Sequence, residues 1–181
     1  MEYISGIDRN QCWISSLEDA IDENNPIRFI DSYVSRLDIG EMGFEYSEPQ
    51  DTGRPAYAPR DLLKLYLYGY FNRIRSSRNL EKECYRNIEV IWLLKGLRPD
   101  HKTIARFRQN NPKALKNVFR DFVRFCVGLG LYGKELIAID GSKFKAWNGK
   151  DRNYTKGKIQ DRIRRAEEKI AAYLEELERT D

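Results

Sequence analysis

The stretch Pro59-Arg-Asp-Leu-Leu-Lys-Leu-Tyr-Leu-Tyr-Gly-Tyr-Phe-Asn-Arg-Ile74 is apolar almost all the way round at helical period. A helix on the surface of a protein needs only one apolar stripe, so one without a clear polar face must be packed on several sides. The remaining chain must therefore wrap a central helix, which predicts a mainly α fold with this segment inside it. The tyrosines Tyr66, Tyr68 and Tyr70 belong to the same core, their hydroxyls reaching hydrogen-bond partners at its rim.

The segments around it supply packing partners. Ser15-Ser-Leu-Glu has capping-box spacing and predicts a short helix over roughly 16–23, ended by Asn24-Asn25-Pro26. Ile27, Ile30, Val34 and Leu37 recur at helical spacing over 26–37. Residues 39–58 hold Gly40, Gly43, Pro49, Gly53 and Pro55 and predict a loop. Short helices follow over 76–86, 88–95 and 102–110, the middle one closed by Gly96. A longer helix over 112–129 carries Leu115, Val118, Phe119, Phe122, Val123, Cys126 and Val127 on one face, and Gly128 and Gly130 end it.

After Gly130 the pattern changes. Leu136 to Ile139 is apolar at every position and runs into Asp140-Gly141, which predicts a short buried strand delivering one carboxylate at its end. Phe144 and Trp147 continue toward a hairpin or second strand, interleaved with Lys143 and Lys145, and Asn148-Gly149 marks a turn. From 155 to 179, Ile159, Ile163, Ala166, Ile170, Tyr173 and Leu177 recur in steps of four and three on a helix rich in Lys, Arg and Glu. This heptad-like seam predicts a helical hairpin or a dimer seam.

Composition narrows the function. Residues 1–50 carry eleven acidic and three basic side chains, a balance of −8, whereas residues 51–181 balance at +12. A basic body suits a polyanionic partner, most often nucleic acid. With His101 the only histidine, a His-rich metal site is excluded and histidine-based nucleophilic catalysis is disfavoured. Cys12, Cys84 and Cys126 are far apart and odd in number, so they read as reduced core cysteines of a cytoplasmic protein. No apolar run reaches the roughly 18 residues of a membrane span, and no membrane partner is expected.

The run of short helices joined by tight turns suggests a helix-turn-helix-like arrangement. Lys102-Thr-Ile-Ala-Arg-Phe-Arg108 would be its DNA-facing helix. Ile104 and Phe107 point to the core on this reading, and Lys102, Thr103, Arg106 and Arg108 face phosphates.

Several motifs occur in one order: Gly53-Arg-Pro-Ala-Tyr-Ala-Pro-Arg60, Leu67-Tyr-Gly-Tyr70, Arg73-Ile-Arg-Ser-Ser-Arg-Asn-Leu80, Gly96-Leu-Arg-Pro-Asp-His-Lys-Thr-Ile-Ala-Arg-Phe-Arg108, Ala138-Ile-Asp-Gly-Ser-Lys143 and Asn153-Tyr-Thr-Lys156. From about residue 10 to 181 the chain resembles the N-terminal part of bacterial insertion-sequence DDE transposases of the InsH type. The resemblance implies a helical DNA-binding domain over 1–132 and, over 133–181, the first one or two strands and a long amphipathic helix of an incomplete RNase H-like catalytic domain. It implies double-stranded DNA, the transposon's terminal inverted repeats, as partner. Arg73, Arg75, Arg78, Lys143 and Lys145 join the helix over 102–110 as DNA contacts.

In that family the strand ending in Asp-Gly supplies the first catalytic carboxylate, which maps onto Asp140. Two later carboxylates complete a site for Mg²⁺, the hard cation that drives phosphoryl displacement. The acidic residues after Asp140 lie in a turn, a charged helix or the terminus, so none is assigned to the site. The expectation is a truncated chain that does not cut or join DNA alone and holds Mg²⁺ only in a completed site. It would act as a homodimer or paired with full-length transposase, in the bacterial cytoplasm at the nucleoid. The alternative is a non-catalytic DNA-binding product that regulates the full-length enzyme.

Overall fold

A computed structural model describes residues 15–45, 56–128 and 156–181. Among the described residues the fold is all helical, with seven α-helices and one 3₁₀ turn at Glu18–Ala20. The helices are α1 (Ile27–Ser35), α2 (Pro59–Phe71), α3 (Ser77–Arg86), α4 (Ile88–Leu93), α5 (His101–Asn110), α6 (Pro112–Gly128) and α7 (Lys156–Thr180). The strand expected at 136–140, with Asp140, Lys143 and Lys145, lies outside the described residues.

Helix α2 is the axis of the fold. Leu62, Leu63, Leu65, Tyr66, Leu67 and Tyr68 are all buried, and α1, α4 and α5 pack around them. Burial desolvates three polar groups on α2, those of Lys64, Tyr66 and Tyr68, and each finds a partner, as buried polar groups must. The Tyr66 hydroxyl donates to the Ile104 carbonyl at 2.8 Å. Lys64 Nζ lies 2.7 Å from Asp31 on α1. Tyr68, Tyr66 and Tyr70 thus divide as core and rim, with the Tyr68 hydroxyl accepting from Asn87 at 2.8 Å.

The first expected helix is shorter in the structure. Ser16 and Asp19 cap each other reciprocally, Asp19 N–H to Ser16 Oγ at 3.2 Å and Ser16 N–H to Asp19 Oδ2 at 2.8 Å. The Asp22 side chain then accepts from Asn24 N–H at 2.8 Å and turns the chain, leaving a single 3₁₀ turn.

Helices α2 and α4 both end in a Schellman motif whose left-handed residue is not glycine. The Ile74 N–H bonds the Gly69 carbonyl with Arg73 at φ 55°, and the Gly96 N–H bonds the Ile91 carbonyl with Lys95 at φ 52°. Gly96, which the sequence marks as the stop, follows the left-handed residue and is itself at φ 78°.

Helix α7 is part of the same core. Its stripe of Ala166, Ile170, Tyr173 and Leu177 is buried, and it packs chiefly on α6. Arg124 on α6 lies 3.8 Å from Glu167, and the Phe119 ring packs at a tilt against Tyr173, centroids 6.1 Å apart. Rising numbers on α7 thus meet falling numbers on α6, so the two run antiparallel. Of the two roles expected for the seam, the structure shows the intrachain hairpin. Cys84 and Cys126 are buried, and burial pushes both thiols up to about 12. No helix among the described residues is long and apolar enough to cross a membrane.

Candidate nucleic-acid interface

Three contacts define how α3 and α5 lie together. Arg98, just before α5, sits over the Tyr85 ring near the end of α3, 4.9 Å from its centroid. His101 Nδ1 is 2.7 Å from Glu81 Oε2 in mid-α3. Arg108, near the end of α5, shares the Asp181 carboxylate with Ser77 at the start of α3. The helices are therefore antiparallel along one seam.

Each helix has its own reason to start where it does. Ser76 caps α3 by accepting from Asn79 N–H, and Asp100 caps α5 by accepting from Thr103 N–H at 2.8 Å. The Thr103 N–H, stabilising the carboxylate form, lowers the Asp100 pKa against the opposing effect of burial. Leu80, Cys84, Ile104 and Phe107 bury the inner faces.

The outer faces carry the cations. Arg78 and Lys82 are four residues apart on α3, as are Lys102 and Arg106 on α5, and all four are exposed. Side chains at i and i+4 share one face of a helix. On an antiparallel pair, the two rows therefore flank the seam on the side away from the core. Among the described residues no hydrogen bond or ion pair holds the side chain of any of the four. The two acidic side chains drawn into the seam are both engaged, Glu81 by His101 and Asp181 by Arg108 and Ser77. Like charges left side by side without counter-ions favour a polyanion.

The sequence-derived contacts distribute unevenly over this surface. Lys102, Arg106 and Arg78 lie on it, and Thr103 is half-buried with its N–H engaged by Asp100. Arg73 is exposed at the end of α2. Arg75 is ion-paired with Glu176 on α7. Arg108 is 5% exposed and points inward, its Nη2 3.1 Å from Asp181 Oδ2. Asp181 is held besides by Ser77 N–H at 2.8 Å and Ser77 Oγ at 2.6 Å. Lys82, Tyr85 and Arg98 were missed from the sequence. The available signal was the i, i+4 spacing of Arg78 and Lys82, matching that of Lys102 and Arg106. Asp140, Lys143 and Lys145 lie outside the described residues. Among the described residues no group of three or more His, Cys, Asp or Glu could hold a metal ion, so the Mg²⁺ expectation turns on Asp140.

The fold and this face together define a helical domain built round a buried axis helix, with an uncompensated cationic surface on two of its shorter helices. The family described as Transposase domain (DUF772) matches residues 15–110, and the chain belongs to that family. The match ends at the last residue of α5, yet α6 and α7 close the same core. No curated protein and no solved structure matches the chain.

Proposed function

We propose that the chain is the DNA-binding N-terminal portion of an insertion-sequence transposase, and that it grips duplex DNA at the transposon ends through the outer face of α3 and α5. The observation that carries this is the pairing of two unneutralised rows, Arg78 with Lys82 and Lys102 with Arg106, along one seam. Cations held at fixed spacing on rigid helices can each displace a condensed counter-ion from a phosphate, which makes the binding strongly salt-dependent. In this proposal α3, α4 and α5 form the helix-turn-helix-like unit, and Thr103 and Lys102 at the start of α5 stand where base edges would be met.

The remaining activity is part of the same proposal. Asp140 would give the first carboxylate of a divalent-cation site, normally for Mg²⁺, completed by two carboxylates from elsewhere. Such a site supplies Lewis-acid activation for DNA strand cleavage and transfer. Lys143 and Lys145 beside it would hold the phosphate backbone.

The test is a binding isotherm for a terminal-repeat duplex over a salt series. Four phosphate contacts give a log–log slope of about −3.6, and Arg106→Ala should flatten it by about 0.9. Binding that is absent or insensitive to salt refutes the proposal.

A further inference from the structure

Tyr85 is an aromatic side chain that the fold leaves open. At 54% exposure it is the most exposed of the large apolar and aromatic residues described, ahead of Ile88 at 47%. Its ring nevertheless has a defined setting, with the Arg98 guanidinium 4.9 Å from the centroid. The backbone carrying Arg98 is fixed on both sides. The Schellman turn at Lys95 and Gly96 precedes it, the Asp100 cap follows it, and the Tyr57 hydroxyl donates to its carbonyl at 3.1 Å. The platform is therefore preformed.

Its position matters as much as its exposure. Tyr85 continues the stripe of Arg78 and Lys82, seven and three residues behind it on α3. Arg98 leads into α5, whose Lys102 and Arg106 form the other row. The ring thus stands at one end of the cationic face, where α3 ends and α5 begins.

An aromatic ring next to an arginine is a surface on which a nucleobase stacks, regardless of its sequence. A base paired inside a duplex keeps its flat faces covered by its neighbours, so only an unpaired base can use such a platform. We infer that Tyr85 and Arg98 form a stacking site for an unpaired nucleobase, at a frayed end, an overhang or a bulge, while the two cationic rows hold the adjoining duplex. This rests on the DNA reading above. The cations Arg98, over the ring, and Lys82, three residues before it on α3, favour a nucleic acid over an apolar protein partner.

The experiment compares the full chain binding a blunt duplex with the same duplex bearing a short single-stranded overhang, at one salt concentration. The overhang should tighten wild-type binding about fivefold or more. Tyr85→Ala should lose that preference while binding the blunt duplex within about twofold of wild type, and Tyr85→Phe should keep it. A 2-aminopurine in the overhang should be quenched by wild type and by Tyr85→Phe but not by Tyr85→Ala. Because the ring is exposed, an unchanged melting temperature for Tyr85→Ala shows that folding is intact. Equal overhang preference in Tyr85→Ala, or none in wild type with blunt-duplex binding retained, overturns the stacking site alone. Salt-dependent binding to neither substrate overturns the DNA reading with it.

Discussion

The Tyr173 hydroxyl occupies the space that a side chain on Gly69 would need: a Cβ built there would lie 2.7 Å from it and 2.8 Å from Leu80 Cδ2. The same hydroxyl donates to the Ile74 carbonyl at 3.0 Å, so it is not free to move aside. Helix α7 thus sits on the axis helix at the one residue of α2 that has no side chain.

That contact predicts the effect of Gly69→Ala. Alanine is favoured over glycine by about 1 kcal/mol in a helix interior, but overpacking a close contact costs about 1–3 kcal/mol. The net expectation is a destabilisation of up to about 2 kcal/mol in urea unfolding. Adding Tyr173→Phe should recover part of it, since the double variant removes the obstructing oxygen. Additive losses would place the clash elsewhere.

The Arg108–Asp181 pair makes the opposite kind of prediction. Both side chains are almost fully buried, at 6% and 7% exposure. Asp181→Ala would leave the guanidinium buried without its counter-charge, which costs about 3–5 kcal/mol. Arg108→Met in the Asp181→Ala background should restore much of the loss, and denaturant midpoints of the three variants measure it. Arg108→Met should leave DNA affinity within about twofold, unlike Arg106→Ala, because only Arg106 reaches the surface.

Lys95 offers a stabilising change. A left-handed residue with a Cβ carries a strain of about 1–2 kcal/mol, which glycine lacks. Lys95→Gly should therefore gain roughly 0.5–1 kcal/mol after glycine's greater entropy in the unfolded chain is counted. A fall in melting temperature would contradict the assignment of that turn.

The Asp100 cap should show in the pH dependence. Its folded-state pKa is lowered from the ordinary 3.8. The stabilisation is therefore present above that value and lost as pH falls through the depressed folded pKa. Asp100→Ala should cost about 1 kcal/mol at pH 7 and less once acid has protonated the wild-type carboxylate.

The core of this molecule could be read from its sequence because burial repeats. The all-round apolar α2 and the stripes of α1 and α6 appear where periodicity puts them, with helix starts within a residue or two. What the sequence hid were contacts between distant segments. Arg108 lies four residues after Ile104 and one after Phe107, on the buried stripe of α5 by spacing alone. Its charge nevertheless suggested the surface, because the carboxylate that neutralises it comes from the end of α7. The cationic face was half visible for the same reason. Arg78, Lys102 and Arg106 could be named singly, but nothing local shows that α3 and α5 run antiparallel, or that Lys82 completes the surface and Tyr85 stands beyond its end.

The most direct test of the central claim is duplex-DNA affinity across a salt series for two variants with equal charge loss. In one, Lys102 and Arg106 are replaced by Ala; in the other, Lys113 and Lys116, exposed on α6, are replaced instead. The account predicts that the first loses close to two units of log–log salt slope, while the second keeps the wild-type slope. Equal losses in both would mean that DNA feels only net charge, and that the α3–α5 face is not where it binds.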